Sequence, residues 1–347
     1  MSVSGVLVDN KYEPISELCV KQTDITHPKY PVIDMHTHFG PMLRGDGYVD
    51  MYDTAETVEK LKKAGVRKVL TLELLWEKGY DRLLEKIHPY EDFILSFGSV
   101  DYSRLDEPGF ESMVWKTVND LKSKGAKGLK IWKDLTFYMK DKSDQYIPVD
   151  DKRLQCIWQA SAELDMPILI HIGDPPPFFK PVDRFNEGYE SLVDHPEWSF
   201  TEPGMFNFEQ LMEQQQHLLE ENPDTTFVIA HVGSYAENLE FVGKCMDRYP
   251  NMYTDIAARL YQLGRQPYTA KKFFEKYADR IMFGTDYMAG GNPEDTYPAH
   301  YRFLETFDEY FEHPDGNLGW WRIYGIGLSD DILKKIYYEN AERILKL

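Results

Sequence analysis

The chain has 347 residues, 42% of them hydrophobic and 14% aromatic, which is enough apolar material for a large core and ordinary for a folded globular protein. Against 39 lysines and arginines stand 58 aspartates and glutamates, a formal net charge of -19 that repels phosphate backbones and anionic lipid alike. Nucleic acid and membrane surfaces are therefore excluded as natural partners, and a small-molecule substrate is expected.

Three widely spaced cysteines, Cys19, Cys156 and Cys245, offer neither a disulfide framework nor a thiolate metal site. The opening stretch MSVSGVLVDNKYEPISELCV lacks the basic start and apolar core of a signal peptide, and no apolar run reaches the ~18 residues of a membrane span. A cytoplasmic location is expected.

In chain order, short apolar runs recur at PVIDMHTH (31 to 38), VRKVLTLE (66 to 73), DFILSFGSV (92 to 100), AKGLKIW (126 to 132), PILIHIG (167 to 173), TFVIAHVG (226 to 233), NMYTDIA (251 to 257) and RIMFGTD (280 to 286). Each is rich in Ile, Val and Leu without clean alternation, as strands buried on both faces of a parallel sheet should be. Helical patterns separate them at 54 to 65, 109 to 125, 150 to 165, 207 to 222, 236 to 250 and 269 to 279. The alternation predicts a (β/α)8 TIM barrel of one domain over 1 to 347, with core strands within 31 to 286 and a C-terminal helical extension over 287 to 347. An open doubly wound sheet would want a Gly-rich turn after its first strand, which HTHFGPML is not. Two long stretches, 174 to 206 and 287 to 328, are expected to be lids or binding loops, and the last residues a helix capped by Ser329.

Polar residues in these strands are few, and they gather at C-terminal ends: His36, His38, Lys130, His171, His231 and Asp286. That end of the barrel is where βα loops converge. His36 and His38, two residues apart, share one face of their strand. A lone strand histidine is more often structural than a ligand, but four of the 10 histidines converging on one rim weakens that reading jointly. Imidazoles with a carboxylate suit a borderline divalent ion and leave positions open for water or substrate. The other six, His27, His88, His195, His217, His300 and His313, are expected at the surface.

The H-x-H closing the first strand, together with IH, AHVG and FGTD at strands five, six and eight, resembles the amidohydrolase superfamily. The nearer likeness is to its amidohydrolase-related (amidohydrolase 2) branch, which includes mononuclear-zinc decarboxylases such as aminocarboxymuconate-semialdehyde decarboxylase. Stretches such as PVDRFNE and WRIYGIGL look like a bacterial subgroup of that branch. The resemblance implies that His36, His38, His171 and Asp286 bind one divalent metal ion, zinc first, with manganese, iron or nickel accommodated. It implies that His231 acts on the substrate. In binuclear relatives a lysine at the place of Lys130 is carboxylated and bridges two ions, which is the less favoured arrangement here.

Two reactions suit such a site. In the first, a metal-dependent hydrolase, Asp286 takes a proton from metal-activated water and His231 or Lys130 polarises a carbonyl. The alternative is a metal-dependent decarboxylase of an unsaturated or aromatic acid, with His231 or Asp286 delivering the proton. Either way a carboxylate-bearing substrate must overcome the acidic field, for which Arg259 and Arg184 are candidate clamps by their fork geometry. Trp132, Phe178, Phe179 and Trp198 are aromatics of the rim, to be weighed as substrate wall against lid packing. Glu73, at the end of strand two, is a further rim residue. A barrel that binds a ligand without turnover is the remote alternative, and exposed C-terminal aromatics would permit a homodimer.

Overall fold

A computed structural model describes residues 15–42, 45, 50–313 and 321–347; the first 14 residues, and part of the long stretch after the eighth expected strand, lie outside them. Among the described residues are nine strands: β1 (Val32–His38), β2 (Val66–Leu72), β3 (Ile94–Phe97), β4 (Leu129–Ile131), β5 (Ile168–Ile170), β6 (Phe227–Ile229), β7 (Met252–Asp255), β8 (Ile281–Met282) and β9 (Tyr287–Met288). They form two arcs, β3-β2-β1-β9 and β4-β5-β6-β7-β8, with every pair parallel. A bridge from Gly98 to Leu129 joins β3 to β4. Met35 N donates to Phe283 O and Asp286 N to His36 O, each at 2.9 Å, joining the β8 end to β1. The ring closes, and the expected (β/α)8 barrel is what the sequence forms.

Two apolar clusters explain why the strands read as apolar on both faces. Ile33, Met35, Leu70, Leu72, Leu95, Phe97, Leu169, Val228 and Met282 fill the interior, while Val32, Val69, Leu129, Ile131, Ile168, Ile170 and Phe227 meet the surrounding helices. Burying each such side chain is worth about 1.5–3 kcal/mol, so sequence and topology reinforce one another at every strand.

All six expected helices form, the first five within the expected bounds and the last shifted to Pro267–Lys276. Asp53 caps Thr54–Lys63 through Glu56 N, and Asn207 with Gln210 makes a reciprocal capping box at Phe208–Glu221. A further helix, Glu77–Ile87, lies between β2 and β3. Its signal is present in the buried Tyr80, Leu83 and Ile87 at three- and four-residue spacing, within an otherwise charged stretch. The C-terminal helix begins after Ser329, whose side chain, contrary to expectation, makes no capping hydrogen bond. Ala341 and Leu345 on that helix pack into the interior cluster, so the extension also plugs the barrel. His300 departs from the surface placement expected of it. It is buried in the helix Pro293–Glu305 against Phe283, where burial lowers its imidazole to about 4.

One irregularity decides where the first strand aims its histidines. Asp34 pairs with Val69 and Thr37 with Thr71, so three steps on β1 match two on β2, the count of a β-bulge. Without it, His36 and His38 would share a face with Asp34, whose carboxylate accepts from Tyr297 OH (2.7 Å) in the helix layer. With it, Ile33 and Met35 fill the interior and His36 and His38 still face the barrel mouth.

Asn340 ties the plug to the barrel, its buried Nδ2 donating to Ala278 O and Ile281 O, both at 2.7 Å. Asn340→Ala is expected to cost about 1–3 kcal/mol by leaving two carbonyls unpaired, read as a lower urea midpoint with an unchanged slope and unchanged metal content.

Candidate metal centre

His38, His171, His231 and Asp286 sit where strands give way to turns, while His36 and Lys130 lie within β1 and β4. β6 ends at Ile229, earlier than expected, and His231 (φ 58°), Val232 (φ 58°), Gly233 (φ 64°) and Ser234 (φ 63°) follow in left-handed conformation. Ala258 (φ 50°) precedes Arg259, and Asp286 has φ 68°. Left-handed backbone costs a non-glycine residue of order 1–2 kcal/mol, most for a β-branched valine, and hydrogen bonds hold it in place. Asp255 Oδ1 accepts from His231 N (2.9 Å), and Thr254 Oγ1 accepts from Gly233 N (2.8 Å).

His36 Nε2 and His38 Nε2 stand 3.5 and 3.1 Å from the same oxygen, Asp286 Oδ1. Two donors that share one ion at ~2.1 Å lie roughly 3.0–3.4 Å apart, so these three atoms fit a common cation. The partners assign the tautomers. His36 Nδ1 lies 2.9 Å from Asp255 Oδ2, and a carboxylate only accepts, so Nδ1 carries the proton and Nε2 presents a lone pair to Asp286. His231 Nδ1 donates to Ala257 O (2.9 Å), which leaves its Nε2 bare.

His171 lies outside that compact group. Its Nε2 is 3.3 Å from Asp174 Oδ1 and its Nδ1 is 3.2 Å from His231 Nε2. With Nε2–H turned to Asp174, the Nδ1 lone pair of His171 faces the Nε2 lone pair of His231. Acceptors that face each other at such distances need a positive charge between or beside them, and a divalent cation supplies it. The donor set thus fits a metal, with two carboxylates acting from behind: Asp255 on His36, and Glu73, whose Oε1 lies 3.5 Å from His38 Nδ1.

Electrostatics agree with that geometry. Burial opposes charge on His38, but the carboxylate of Asp286 bonded to its Nε2 and that of Glu73, 3.5 Å from its Nδ1, outweigh it and raise it to about 9. Burial alone would raise Asp286, yet its close contacts with His36 and with His38, which also hydrogen-bonds it, hold it well below the usual carboxylate range. Burial lowers His171 to about 4 and carries His36 and His231 well below 6.5, so these three stay neutral. Glu73 is more than a rim residue: its carboxylate accepts from Phe39 N (3.1 Å), Gly40 N (2.9 Å) and Met42 N (3.0 Å), fixing the turn after β1.

Beside the histidines lies a cationic pair. Asp174, buried, is shared by Lys133 Nζ, His171 Nε2 and, at 4.0 Å, Arg259 Nη2. The Arg259 side chain is 9% exposed, and its hydrogen bond is from Nη1 to Ala258 O (2.7 Å). Lys133 Nζ sits 5.9 Å from the Trp132 ring and 5.4 Å from Phe200. Trp132 therefore borders Lys133. Phe178, Phe179 and Trp198 pack as lid: Trp198 stacks between Phe178 (6.0 Å) and His195 (3.9 Å), and Phe179 lies against Phe137, Phe200 and Phe208. Arg184 is not brought to the site. It is exposed, with its guanidinium over the exposed Phe185 ring, because the Pro-rich loop turns it outward.

The sequence reading passes over Asp255, Lys133 and Asp174. Asp255 closes the seventh apolar run and carries the same signal as the others, a charged residue at a strand's C-terminal end. Lys133 and Asp174 lie beyond strand ends, and nothing local distinguishes them from surface charges.

A family model described as Amidohydrolase matches residues 33–347. The chain belongs to that family. The match runs through the barrel of this amidohydrolase-family enzyme and its C-terminal plug. Among solved structures, 2,6-dihydroxybenzoate decarboxylase from Rhizobium is 14% identical, with a TM-score of 0.58 over 91% of this chain and 99% of that one. A dihydroxybenzoic acid decarboxylase from Polaromonas sp. JS666, with bound manganese and 2-nitroresorcinol, is 15% identical with a TM-score of 0.59 over 92% and 97%. The manganese-bound 5-carboxyvanillate decarboxylase from Novosphingobium aromaticivorans is 13% identical with a TM-score of 0.55 over 94% and 100%. At these identities the likeness is one of fold. No curated protein sequence matches the chain.

Asp255→Asn keeps shape but removes the charge that orients His36. Metal affinity is expected to fall roughly 10–100-fold, measured by competition with a chromophoric chelator, with the far-UV spectrum unchanged.

Proposed function

We propose that the chain is a divalent-metal-dependent carbon–carbon lyase that removes CO2 from a small unsaturated or aromatic carboxylic acid. The observation that carries this reading is the buried Arg259–Lys133 pair beside His171. Two cations share one carboxylate, Asp174, and Arg259 Nη2 stands at 4.0 Å from it, beyond hydrogen-bond distance. Taking such groups out of water is costly unless an anion meets them, and a substrate carboxylate does so in fork geometry. Trp132 offers a flat wall next to that anchor. The names of the three solved enzymes of like fold, each a decarboxylase of a hydroxylated aromatic acid, support the same class.

His36, His38, Asp286 and, from the adjoining position, His171 would hold the ion. When bound, it supplies Lewis-acid stabilisation of negative charge on a substrate oxygen. Manganese in two of the solved relatives makes it the metal to try beside zinc. The protein's own part is to bind the acid through Arg259 and Lys133, to keep the ring against Trp132, and to exclude water under the lid built from Phe178, Phe179 and Trp198.

Hydrolysis of an amide or lactone, the reaction placed first from sequence, uses the same donors. Asp286 favours it: its side chain is 28% exposed and it is held ionised, as a base for attacking water must be. A neutral amide or lactone, however, leaves Arg259 and Lys133 without the counter-charge for which they are placed.

The test is CO2 release from ortho-hydroxylated benzoates and short unsaturated acids by the full chain loaded with manganese or zinc, beside lactone and amide hydrolysis. CO2 release that stops with chelator and returns with metal is expected; hydrolysis without CO2 from any acid would sink the proposal. Arg259→Gln is expected to raise KM for the acid at least about tenfold with a smaller change in kcat, in steady-state assays.

A further inference from the structure

The turns after β6 and β7 carry buried polar atoms that neither the metal donors nor the Arg259–Lys133 anchor uses. Glu237 stands just before the helix Leu239–Arg248, and Gln262 lies in the short helix Leu260–Gly264 that begins directly after Arg259. Gln266 clasps the two segments together, its Nε2 donating to Ala236 O (2.6 Å) and to Gln262 O (3.3 Å). Glu237 Oε1 and Gln262 Oε1 are nevertheless buried with no hydrogen-bond partner. The arginines of this region are engaged elsewhere, Arg259 with Asp174 at 4.0 Å and Arg265 with Glu187 of the lid.

A carboxylate and an amide oxygen only accept, and each buried acceptor left unpaired costs stability. The fold is joined here without them: Gln266 bonds main-chain carbonyls, and Asn238 Oδ1 starts the following helix at Phe241 N (3.0 Å). Burial raises the Glu237 carboxyl, and Arg259 is the foremost charge working against that rise, ahead of Arg265. The orphaned oxygen of Glu237 therefore shares its surroundings with the anchor. Acceptors held open beside a cation that binds an acid call for a ligand bringing a donor as well as a carboxylate. Water donates to both in the free enzyme and leaves when such a group arrives.

We infer that Glu237 and Gln262 form a second polar subsite beside Arg259, which accepts hydrogen bonds from an O–H or N–H substituent of the substrate and so selects among carboxylic acids for one that carries such a group. The inference rests on the reading of Arg259 as the anchor of a substrate carboxylate, and it adds the residues that read the rest of the molecule. The two kinds of donor differ in what they ask of Glu237. An ammonium needs its charge, whereas a hydroxyl is served by any oxygen acceptor of the same reach. Arg265 adds to the contrast: its Nε–H is buried and unpaired three residues beyond Gln262, and a hydroxyl accepts as well as donates while an ammonium does not.

The experiment measures dissociation constants by titration calorimetry on the metal-loaded full chain, wild type and variant. The probes are matched pairs of benzoates substituted at each ring position, hydroxy beside methyl and aminomethyl beside ethyl. Wild type is expected to bind one donor-bearing acid at least about tenfold more tightly than its alkyl partner. In Glu237→Met and Gln262→Met, which remove an acceptor at similar length, the two affinities are expected to come within about threefold of each other. Glu237→Gln then names the donor, keeping the preference for a hydroxyl and losing it for an ammonium. Without ligand, Gln262→Met is expected to match or exceed the wild-type thermal midpoint, because it sheds an unmet acceptor. A midpoint lower by more than a few degrees would assign that oxygen to the fold and overturn the inference. So would wild type preferring no donor-bearing acid at any ring position, or an undiminished preference in both methionine variants. CO2 release is scored on the same samples: donor selection without CO2 removes the lyase reading and leaves the subsite, whereas CO2 release without donor selection removes the subsite alone.

Discussion

The carboxylate of Asp255 is the point on which the site depends. Fully buried at the end of β7, it accepts from His36 Nδ1 at 2.9 Å, from His231 N at 2.9 Å and from Ala257 N at 3.1 Å. Burial raises this carboxyl, and His231, Lys130 and the Ala257 N–H work against that rise, so its ionisation is tied to β1, the turn after β6 and the turn after β7 keeping their places. One residue therefore couples the tautomer of a metal-binding histidine to a strained turn on the opposite side of the mouth.

The strain has a use. Left-handed backbone at His231, Ala258 and Asp286 turns the chain sharply at three strand ends, so that side chains which would run on along the barrel wall point across the mouth instead. A regular strand would place His231 in the alternation of Phe227 and Ile229, toward the helix layer and away from the mouth. The stability of the barrel below, with its two apolar clusters and helical plug, is what offsets these local costs. The same division separates a rigid lower barrel from an upper rim whose buried charges are arranged around groups not of the protein.

Those charges also resolve a conflict between composition and chemistry. A chain of net charge -19 repels an anionic acid at long range. At the anchor beside His171 the local balance differs, because Lys133 and Arg259 are buried where solvent and salt screen them little, while the single carboxylate of Asp174 neutralises only part of their charge. An acid bound there would meet these two cations at closer range than the distant surface.

By itself the sequence determined the barrel and the inner ring of donors. Apolar runs at regular spacing can be read because burial on both faces is a property of each strand alone, and His36, His38 and Asp286 stand out because polar residues at strand ends are expensive anywhere else. Tertiary structure decided the rest. The bulge in β1 that turns both histidines inward is a matter of register against β2, invisible in either strand alone. Arg184 and Arg259 look alike as residues, yet one lies over Phe185 in solvent and the other beside Asp174, because which side of a loop faces the mouth depends on what the loop packs against. The part played by Asp255 is likewise a pairwise fact, set by which atoms come within a few ångströms across the barrel.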